Sequence, residues 1–452
     1  MKKAVESLTL LLISAVLLTS CLGEEEEVVK TSTVALLTFS LDDMKTTRTK
    51  KVNGRDTTYT YTTVGSRYAF TIDHTKGLVT NKDSIPYGTK VKITANVTAD
   101  GYIYYEKEGE RVTFSPEDSI DFSQPVVFTI VSQDERYSRD YRVVVNVHHQ
   151  NPSVTYWNEV KGADFPAGLF MDQKAVTDGE WIYVYGITEN DEVYVTYTAI
   201  DDGAHWTEPV ALSGVDGEVD CHSVMSFDGI FYLLAEGNLY SSVDGVVWTE
   251  VSTSLTLKSL CAVAQGDSSM VWGVNENNTF VSSVDMVNWT SNGQIVDNIL
   301  EGRISSLSYA LKTNPNIYRT LFVGVPHESS DTCAQVWTKL STEDNWQLMT
   351  PAVNNAYGCP LLENLTVIRY AGNLYAFGGK SLNERQVPIE AFSAFFESRD
   401  NGITWRIRES GLSLPHHFRG LDDTFSTVVV GDYIWIIWSH SGQVWQGFWR
   451  GE

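Results

Sequence analysis

The chain has 452 residues, and its 57 acidic side chains against 33 basic ones give a formal net charge of −24. Binding to a nucleic-acid backbone requires clustered positive charge, so no nucleic-acid partner is expected. Hydrophobic residues make up 42% of the sequence and aromatic residues 12%, which is enough for more than one packed domain in a chain of this length.

Residues 1–20 are predicted to be a lipoprotein signal peptide. Met1-Lys2-Lys3 gives a positive start, and the apolar run from Leu8 to Leu18 is too short to cross a bilayer as a stable helix. The run leads into Leu18-Thr19-Ser20-Cys21, which resembles a bacterial lipobox. Such a resemblance implies that Cys21 is lipidated and anchors the protein in the membrane. The alternative is an ordinary signal peptide with an incidental cysteine.

Residues 21–31 are predicted to be an acidic tether. The run Glu24-Glu25-Glu26-Glu27 directly behind Cys21 resembles the surface-export signal of Bacteroidetes lipoproteins. That resemblance implies an outer-membrane lipoprotein that is exposed at the cell surface. The alternative is a solvated spacer that keeps the fold clear of the membrane.

Residues 32–150 are predicted to form one immunoglobulin- or cadherin-like β-sandwich. Short β-branched and aromatic runs separated by turn residues are typical of that fold class. The predicted strands include Val34–Phe39, Thr58–Thr62, Ala69–Ile72, Lys90–Ala95, Val126–Val131 and Asp140–Val147.

Residues 153–452 repeat one phrase that ends in tryptophan, called the tryptophan repeat below. Its fullest copy, Ser398-Arg399-Asp400-Asn401-Gly402-Ile403-Thr404-Trp405, resembles the Asp-box of sialidase-like propellers. Ser and Asp side chains can bond turn amides, Gly accepts the positive φ of the turn, and Trp can pack between neighbouring sheets. A structural turn is favoured over a carbohydrate or calcium contact, because a binding site rarely recurs on every blade.

The number of repeats predicts a six-bladed β-propeller. Together with the predicted β-sandwich, this makes the whole mature chain all-β. Spacings of roughly 40 to 60 residues fit one four-stranded blade per period. The last blade lacks an outer strand, and the segment 154–160 is predicted to supply it and close the ring. The outer-strand tryptophans are Trp157, Trp206, Trp248, Trp289, Trp346 and Trp405.

This combination of parts resembles a Bacteroidetes surface-lipoprotein family of unknown function. Its members pair an N-terminal sandwich with a C-terminal kelch- or Asp-box-type propeller, and Gly378-Gly379 is reminiscent of a kelch repeat. The resemblance covers the mature chain and implies an architecture, with no activity attached to it.

A ligand site, if present, is expected on the axial face of the propeller, where the loops that enter the inner strands converge. Such loops combine apolar, aromatic and charged residues, as a pocket requires. The richest loop runs from Leu414 to Asp423. The candidate ligand-binding residues are His416, His417, Arg419, Asp422, Arg303, His222 and Tyr357. The alternative is that His416 and His417 merely cap a strand.

These observations predict a non-catalytic glycan- or protein-binding or scaffold protein. The rival hypothesis is a glycan-active enzyme on the same propeller, either a glycosidase or lyase that uses Asp422 or Asp423 with His416 or His417, or a sialidase-like enzyme. No Arg-Ile-Pro motif occurs, although Arg303, Arg369 and Arg419 lie near inner strands and leave an arginine triad open.

No cofactor and no metal site are predicted. The histidines of the propeller are scattered, and no Tyr–Cys pairing suggests a copper site of the galactose-oxidase kind. Besides Cys21, the chain has four cysteines, Cys221, Cys261, Cys333 and Cys359, which allow three disulfide connectivities. Free buried thiols are the favoured alternative.

Overall fold

The computed structural model describes residues 30–52, 55–107, 109–149, 151, 154–264, 270–295, 300–326, 333–349, 357–382, 389–408 and 411–449. The predicted signal peptide, the lipidation site Cys21 and the acidic run Glu24–Glu27 lie outside these residues. Strands dominate the structure, and none of the helices in the described ranges has the length and apolarity needed to cross a membrane. The chain divides into two compact units, the first holding most residues up to Asn151 and the second most of the rest.

In its described residues, the N-terminal unit is all-β apart from one 3-10 turn, Gly65–Arg67. Its largest sheet has six strands in the order β4-β5-β12-β11-β8-β9, in which β5 and β12 run parallel, and smaller sheets pair β1 with β7, β6 with β10 and β2 with β3. The strands are β1 Leu36–Leu41, β2 Met44–Val52, β3 Arg55–Thr63, β4 Phe70–Asp73, β5 Leu78–Asn81, β6 Lys92–Ile93, β7 Ala95–Ala99, β8 Tyr102–Lys107, β9 Glu110–Thr113, β10 Ile120–Asp121, β11 Val126–Val131 and β12 Ser138–Val144.

Alternating burial explains how this unit packs. Along β11 every second residue is buried, and Phe128, Ile130 and Tyr141 of β11 and β12 are fully enclosed. Period-two burial is the signature of a sheet with one face on a core. Assignment of the unit to the immunoglobulin or cadherin class stays a prediction.

The described residues of the C-terminal unit form six four-stranded antiparallel sheets, and the strands of five of these sheets are consecutive in the chain. The sixth combines β34, β35 and β36 with β13 from the beginning of the unit, as Tyr156 pairs with Phe448 and Glu159 with Trp445. The strands are β13 Tyr156–Glu159, β14 Asp172–Thr177, β15 Trp181–Ile187, β16 Val193–Ala199, β17 Val210–Ala211, β18 Val219–Phe227, β19 Ile230–Ala235, β20 Asn238–Ser242, β21 Thr249–Val251, β22 Leu257–Ala264, β23 Met270–Asn275, β24 Thr279–Ser283, β25 Thr290–Ile295, β26 Leu300–Ala310, β27 Tyr318–Pro326, β28 Gln335–Leu340, β29 Gln347–Leu348, β30 Thr366–Tyr370, β31 Asn373–Phe377, β32 Phe396–Ser398, β33 Arg406–Ile407, β34 Phe425–Val430, β35 Tyr433–Trp438 and β36 Val444–Phe448.

The inner strand is the first strand of each of the five consecutive sheets and β34 in the sixth, and these inner strands succeed one another around an axis. In turn β14 contacts β18, β18 contacts β22, β22 contacts β26, β26 contacts β30, β30 contacts β34, and β34 contacts β14 again. This cyclic succession is the arrangement of a β-propeller. A 3-10 turn, His416–Phe418, precedes the inner strand β34.

The tryptophan repeat forms a hydrogen-bonded turn between the third and fourth strands of a sheet. In the fullest copy, the Asp400 carboxylate accepts hydrogen bonds from the Ser398 hydroxyl at 2.9 Å and from the Thr404 amide at 2.8 Å. The Trp405 indole N–H donates to the carbonyl of Gly402, which has a φ of +95°. Asp244 and Asp285 hold their turns in the same way. These aspartates are therefore committed to local turn structure.

Each tryptophan of the repeat packs on the sheet that precedes its own. Trp248 contacts the cluster of Tyr185 and Val195 from the sheet before it, and Trp405 packs with Leu321 from the sheet before its own. In the same way, Trp206 packs with Trp435 of the sixth sheet. A whole indole buried between adjacent sheets stabilises their contact. Removal of such a fully buried ring typically costs on the order of 3–5 kcal/mol of folding free energy.

Candidate functional site

A cavity of about 330 Å³ lies among the inner strands, on the axis of the propeller. Its walls come from β14, β18, β26, β30 and β34, and hydroxyl and cationic side chains alternate there with aliphatic ones. Because inner strands from five sheets converge on it, this axial cavity brings together residues that are far apart in sequence. Its polar and charged lining residues are Gln173, Lys174, His222, Arg303, Ser305, Ser306, Thr366, Arg369, Ser426 and Thr427.

At the edge of the axial cavity, Asp172 joins two of the predicted ligand-binding residues. One carboxylate oxygen lies 2.6 Å from Nε2 of His222, and the other accepts a hydrogen bond of 2.7 Å from the Arg303 guanidinium. Arg303 also donates to the carbonyl of Phe425 at 2.7 Å and lies over the Phe425 ring. The Asp172, His222 and Arg303 side chains, called the axial triad below, therefore link three inner strands and the start of a fourth.

The electrostatics of the axial triad keep Asp172 ionised. Burial alone would raise the pKa of this carboxyl, but the hydrogen bond and charge of His222 and the charge of Arg303 outweigh burial and hold the pKa well below its usual range. An ionised carboxylate in this setting accepts hydrogen bonds and orients its two partners. It is unsuited to the proton-donating role of a general acid at neutral pH.

Asp172, Cys221 and His222 are the group in the described part of the chain whose ligand atoms lie close enough together for a metal ion, all within 4.8 Å of one another. Electrostatics oppose a cation there. Burial raises the pKa of the Cys221 thiol and so disfavours the thiolate that binds metals, while Arg303 already neutralises Asp172. The arrangement suits an internal ion pair better than a metal centre.

Arg369 also lines the axial cavity but has a different environment from Arg303. Its guanidinium lies over the Tyr309 ring, 4.4 Å from the ring centroid, and its Nε is buried without a hydrogen-bond partner. Across the described residues, no carboxylate forms an ion pair with it. A cation stacked on an aromatic face is stabilised only modestly, by roughly 0.5–2 kcal/mol.

Comparisons with known proteins agree with the architecture. Residues 151–450 match the DUF6242 beta propeller domain, and residues 39–145 match the DUF6242 N-terminal domain, a domain of unknown function. The chain belongs to the DUF6242 family. No match is found among curated proteins.

Solved structures similar to this DUF6242 protein have varied activities. Virginiamycin B lyase from Staphylococcus aureus is 10% identical with a TM-score of 0.40, over 65% of this chain and 99% of the lyase. A DUF4623 family protein from Bacteroides eggerthii is 11% identical with a TM-score of 0.37, over 92% of this chain and 98% of that one. The Penicillium chrysogenum alpha-L-arabinanase is 12% identical with a TM-score of 0.39, over 65% and 98%. At these identities and TM-scores, no activity transfers to the DUF6242 chain.

The other predicted ligand-binding residues of the DUF6242 propeller lie away from the axial triad. The His417 ring packs on Trp445 at 4.7 Å, and Arg419 forms an ion pair with Glu390 at 2.8 Å. Asp422 lines a second cavity of about 300 Å³, whose walls also include Glu363, Glu390 and Asp423. His416 begins the 3-10 turn, and Tyr357 is exposed beneath the Arg406 guanidinium. The seven candidates therefore do not form a single pocket.

The acid–base pairs considered from sequence are also absent among the described contacts. Asp423 accepts hydrogen bonds from the amides of His440 and Ser441, so it caps a turn, and no described hydrogen bond joins it or Asp422 to a histidine of the 3-10 turn. Since Arg419 lines neither the axial cavity nor its rim, it does not complete an arginine triad with Arg303 and Arg369.

The partner of the His222 imidazole is an aspartate far from it in sequence. Asp220, its near neighbour, accepts only the His222 backbone amide at 2.9 Å, whereas the imidazole bonds to Asp172. No local pattern singles out Asp172, because β14 begins with the polar residues Asp172, Gln173 and Lys174. Cys221 and Cys359 are free thiols, and the side chain of Cys261 lies outside the described residues.

Proposed function

We propose that this protein is a lipid-anchored cell-surface protein that binds a glycan or a protein partner without catalysis, through the axial face of a six-bladed propeller. The observation that carries the proposal is the axial cavity, in which five inner strands bring hydrogen-bonding side chains to one concave site. Concave, partly apolar sites with a few convergent polar groups are where ligands bind most often.

The lining of the axial cavity supports binding over glycoside hydrolysis. Most glycosidases flank the scissile bond with two carboxyl groups, one of which must be protonated or act as a nucleophile. The described lining contains no carboxylate, and Asp172 at its edge is held ionised between His222 and Arg303. The polar residues that remain are hydrogen-bond donors, amides and hydroxyls, which suit recognition.

The six sheets and the N-terminal unit support the rest of the proposal. Pairing of β13 with β36 gives each of the six sheets four strands, so we regard the ring as six-bladed and closed by the strand near its N-terminal end. Ring closure removes exposed sheet edges that would favour aggregation. Lipidation of Cys21, export by the acidic run and a spacer role for the N-terminal unit follow from the sequence pattern.

A second candidate function rests on the short contact between His222 and Asp172. An imidazole oriented by a carboxylate through one ring nitrogen can use the other as a general base. A glycan lyase or another glycan-active enzyme on this propeller would use His222 in that role, in place of His416 or His417.

The experiment that tests the proposal exposes the purified protein to a panel of host and plant polysaccharides and measures both retention and product. We expect retention of a glycan with no new reducing ends and no unsaturated sugar. Release of sugar or of an unsaturated product, lost in His222→Ala, would establish the enzymatic alternative instead. No retention on a broad panel would favour a protein partner.

Two matched variants locate the binding site. Ser306→Trp fills the axial cavity with an indole and should abolish retention, whereas Asp422→Trp makes a change of similar size in the second cavity and should leave it intact. Equal melting temperatures would show that both variants fold. Loss of binding in Asp422→Trp alone would move the site away from the axis.

A further inference from the structure

Positive charge collects in the axial cavity of a protein whose net charge is strongly negative. Arg303, Arg369 and Lys174 line the cavity together with His222, and among the described residues the Asp172 carboxylate contacts Arg303 and His222. Since Asp172 already bonds to both His222 and Arg303, its carboxylate is committed to these two partners. Low-dielectric walls focus such a field on whatever enters the cavity.

Arg369 is a cation of the axial cavity that Asp172 does not contact. It forms no ion pair within the described part of the chain, and the contact that holds it is the face of Tyr309. An arginine placed in a cavity without an anion costs stability, because its charge loses water and gains no counter-charge. Folding does not require that cost, so a ligand is the natural source of the missing anion.

We propose that the axial cavity binds the carboxylate of an acidic sugar, and that Arg369 is the residue that receives this carboxylate. The inference rests on the proposed function and defines its ligand class. The planar guanidinium fork matches a carboxylate in two parallel hydrogen bonds, a fit that the point charge of a lysine lacks.

The rest of the lining fits the body of a sugar. Ser306 and Thr366 offer hydroxyls in the same cavity as Arg369, and Leu307 and Val367 provide apolar surface for the carbon face of the ring. A volume of about 330 Å³ is at the small end of ligand sites, so one or two sugar units are the expected occupants. A bulky folded partner cannot enter a cavity of that size.

The test compares glucuronate with glucose, which carries a neutral hydroxymethyl group in place of the carboxylate. Binding of each to the full protein is measured by calorimetry, with inorganic phosphate and sulfate as further probes. We expect glucuronate to bind and glucose to bind at least about tenfold more weakly. The reason is that charged hydrogen bonds contribute most to such a contact. Arg369→Gln should weaken the binding of glucuronate by about tenfold or more. Arg369→Lys keeps the charge but not the planar fork, so its loss of affinity should be smaller than that of Arg369→Gln.

A second measurement separates ligand binding from a structural role. Arg369→Met keeps an apolar chain on Tyr309 and removes the charge, so it should raise the melting temperature of the ligand-free protein. The same substitution at Arg303 leaves Asp172 without one of its partners and should lower it. A lower melting temperature in Arg369→Met would mean that Arg369 is structural and would overturn the inference.

The outcomes distinguish this inference from the proposed function. Equal binding of glucose and glucuronate, unchanged in Arg369→Gln, overturns the carboxylate inference and leaves the binding function in place. Binding of phosphate or sulfate without glucuronate also overturns it. Glucuronate binding that depends on Arg369, in a protein that retains no polysaccharide, supports the inference and argues against a glycan polymer as the natural ligand. Failure of every probe and every polysaccharide overturns the carboxylate inference and leaves a protein partner as the remaining form of the proposed function.

Discussion

Substitution of Gly447 should weaken the contact that joins the two ends of the propeller. Gly447 lies on β36 beside Trp157 of β13, and a Cβ added there would lie 2.5–2.7 Å from three carbons of the Trp157 ring. Contacts below about 3 Å cannot be accommodated without movement of one partner. The ring is held by the hydrogen bond from its Nε1 to the Ser413 carbonyl at 2.6 Å, so it cannot move freely.

The expected magnitude follows from overpacking. Extra methyl groups in a well-packed site cost typically 1–3 kcal/mol, and we expect Gly447→Ala to lower the free energy of unfolding by about 2 kcal/mol. Trp157→Ala should cost about 2–3 kcal/mol, below the range for a fully buried tryptophan because this ring is half-buried. In the Trp157→Ala background, Gly447→Ala should cost less than about 0.5 kcal/mol, since the obstacle is gone.

The assay is urea unfolding followed by tryptophan fluorescence. All 13 tryptophans lie between Trp157 and Trp449, so the signal reports on the propeller alone. Gly186→Ala is the matched control, because its Cβ would meet the Phe170 ring at 2.2 Å in another sheet. Its cost should be unchanged by Trp157→Ala. Additive effects of Gly447→Ala and Trp157→Ala would refute the proposed contact and its role in ring closure.

Three further predictions concern charge and anchoring. Asp172→Asn should reduce the loss of stability on acidification, because a carboxyl with a depressed pKa contributes stability above its unfolded pKa of about 4 and loses that contribution as the pH falls further. Melting temperatures of Asp172→Asn and wild type are compared at neutral and acidic pH. The drop on acidification should be smaller in Asp172→Asn. Glu397→Gln should lower the free energy of unfolding by about 3 kcal/mol in urea unfolding, since this buried carboxylate pairs with Arg399 and Arg408. Cys21→Ala should abolish partitioning into a detergent phase, and unchanged membrane association would reject lipidation of this residue.

The propeller was predictable because its sequence repeats a local physical requirement. Every sheet has to make a tight turn and then bury a large ring against its neighbour, so serine, aspartate and tryptophan return at fixed positions. Asp400 with Trp405 shows the full set of contacts, and Asp285 shows that the turn tolerates Met286 at a φ of +64° where other copies carry glycine. Such contacts span only a few residues, which is the range over which sequence patterns can be read.

The N-terminal unit was harder to predict for the same reason. Strand β2, Met44–Val52, consists largely of threonine and basic residues and has no apolar alternation. The parallel pairing of β12 with β5 joins residues more than 60 positions apart, which no local pattern indicates. By contrast, β11 alternates buried apolar residues and coincides with the predicted strand Val126–Val131.

The axial triad was only half predictable. His222 and Arg303 were recognised as charged residues at inner strands, but Asp172 lies 50 residues from the first and 131 from the second. Only closure of the ring brings them together. The residues of the Leu414–Asp423 loop, which looked richer in sequence, instead make local contacts such as that of His417 with Trp445.

The role of a carboxylate in this fold is shown by its hydrogen-bond partners and less well by the residues next to it in sequence. Asp244, Asp285 and Asp400 accept hydrogen bonds from amides within four residues, so their negative charge stabilises one turn. Asp172 accepts its side-chain hydrogen bonds from His222 and Arg303, on two other sheets, so its charge sets the geometry of the shared cavity. Loss of a turn aspartate should therefore change stability at one blade, whereas loss of Asp172 should change what the axial cavity binds. This difference is why the functional hypothesis rests on the axis of the propeller, although the aspartates of the repeat are far more conspicuous in the sequence.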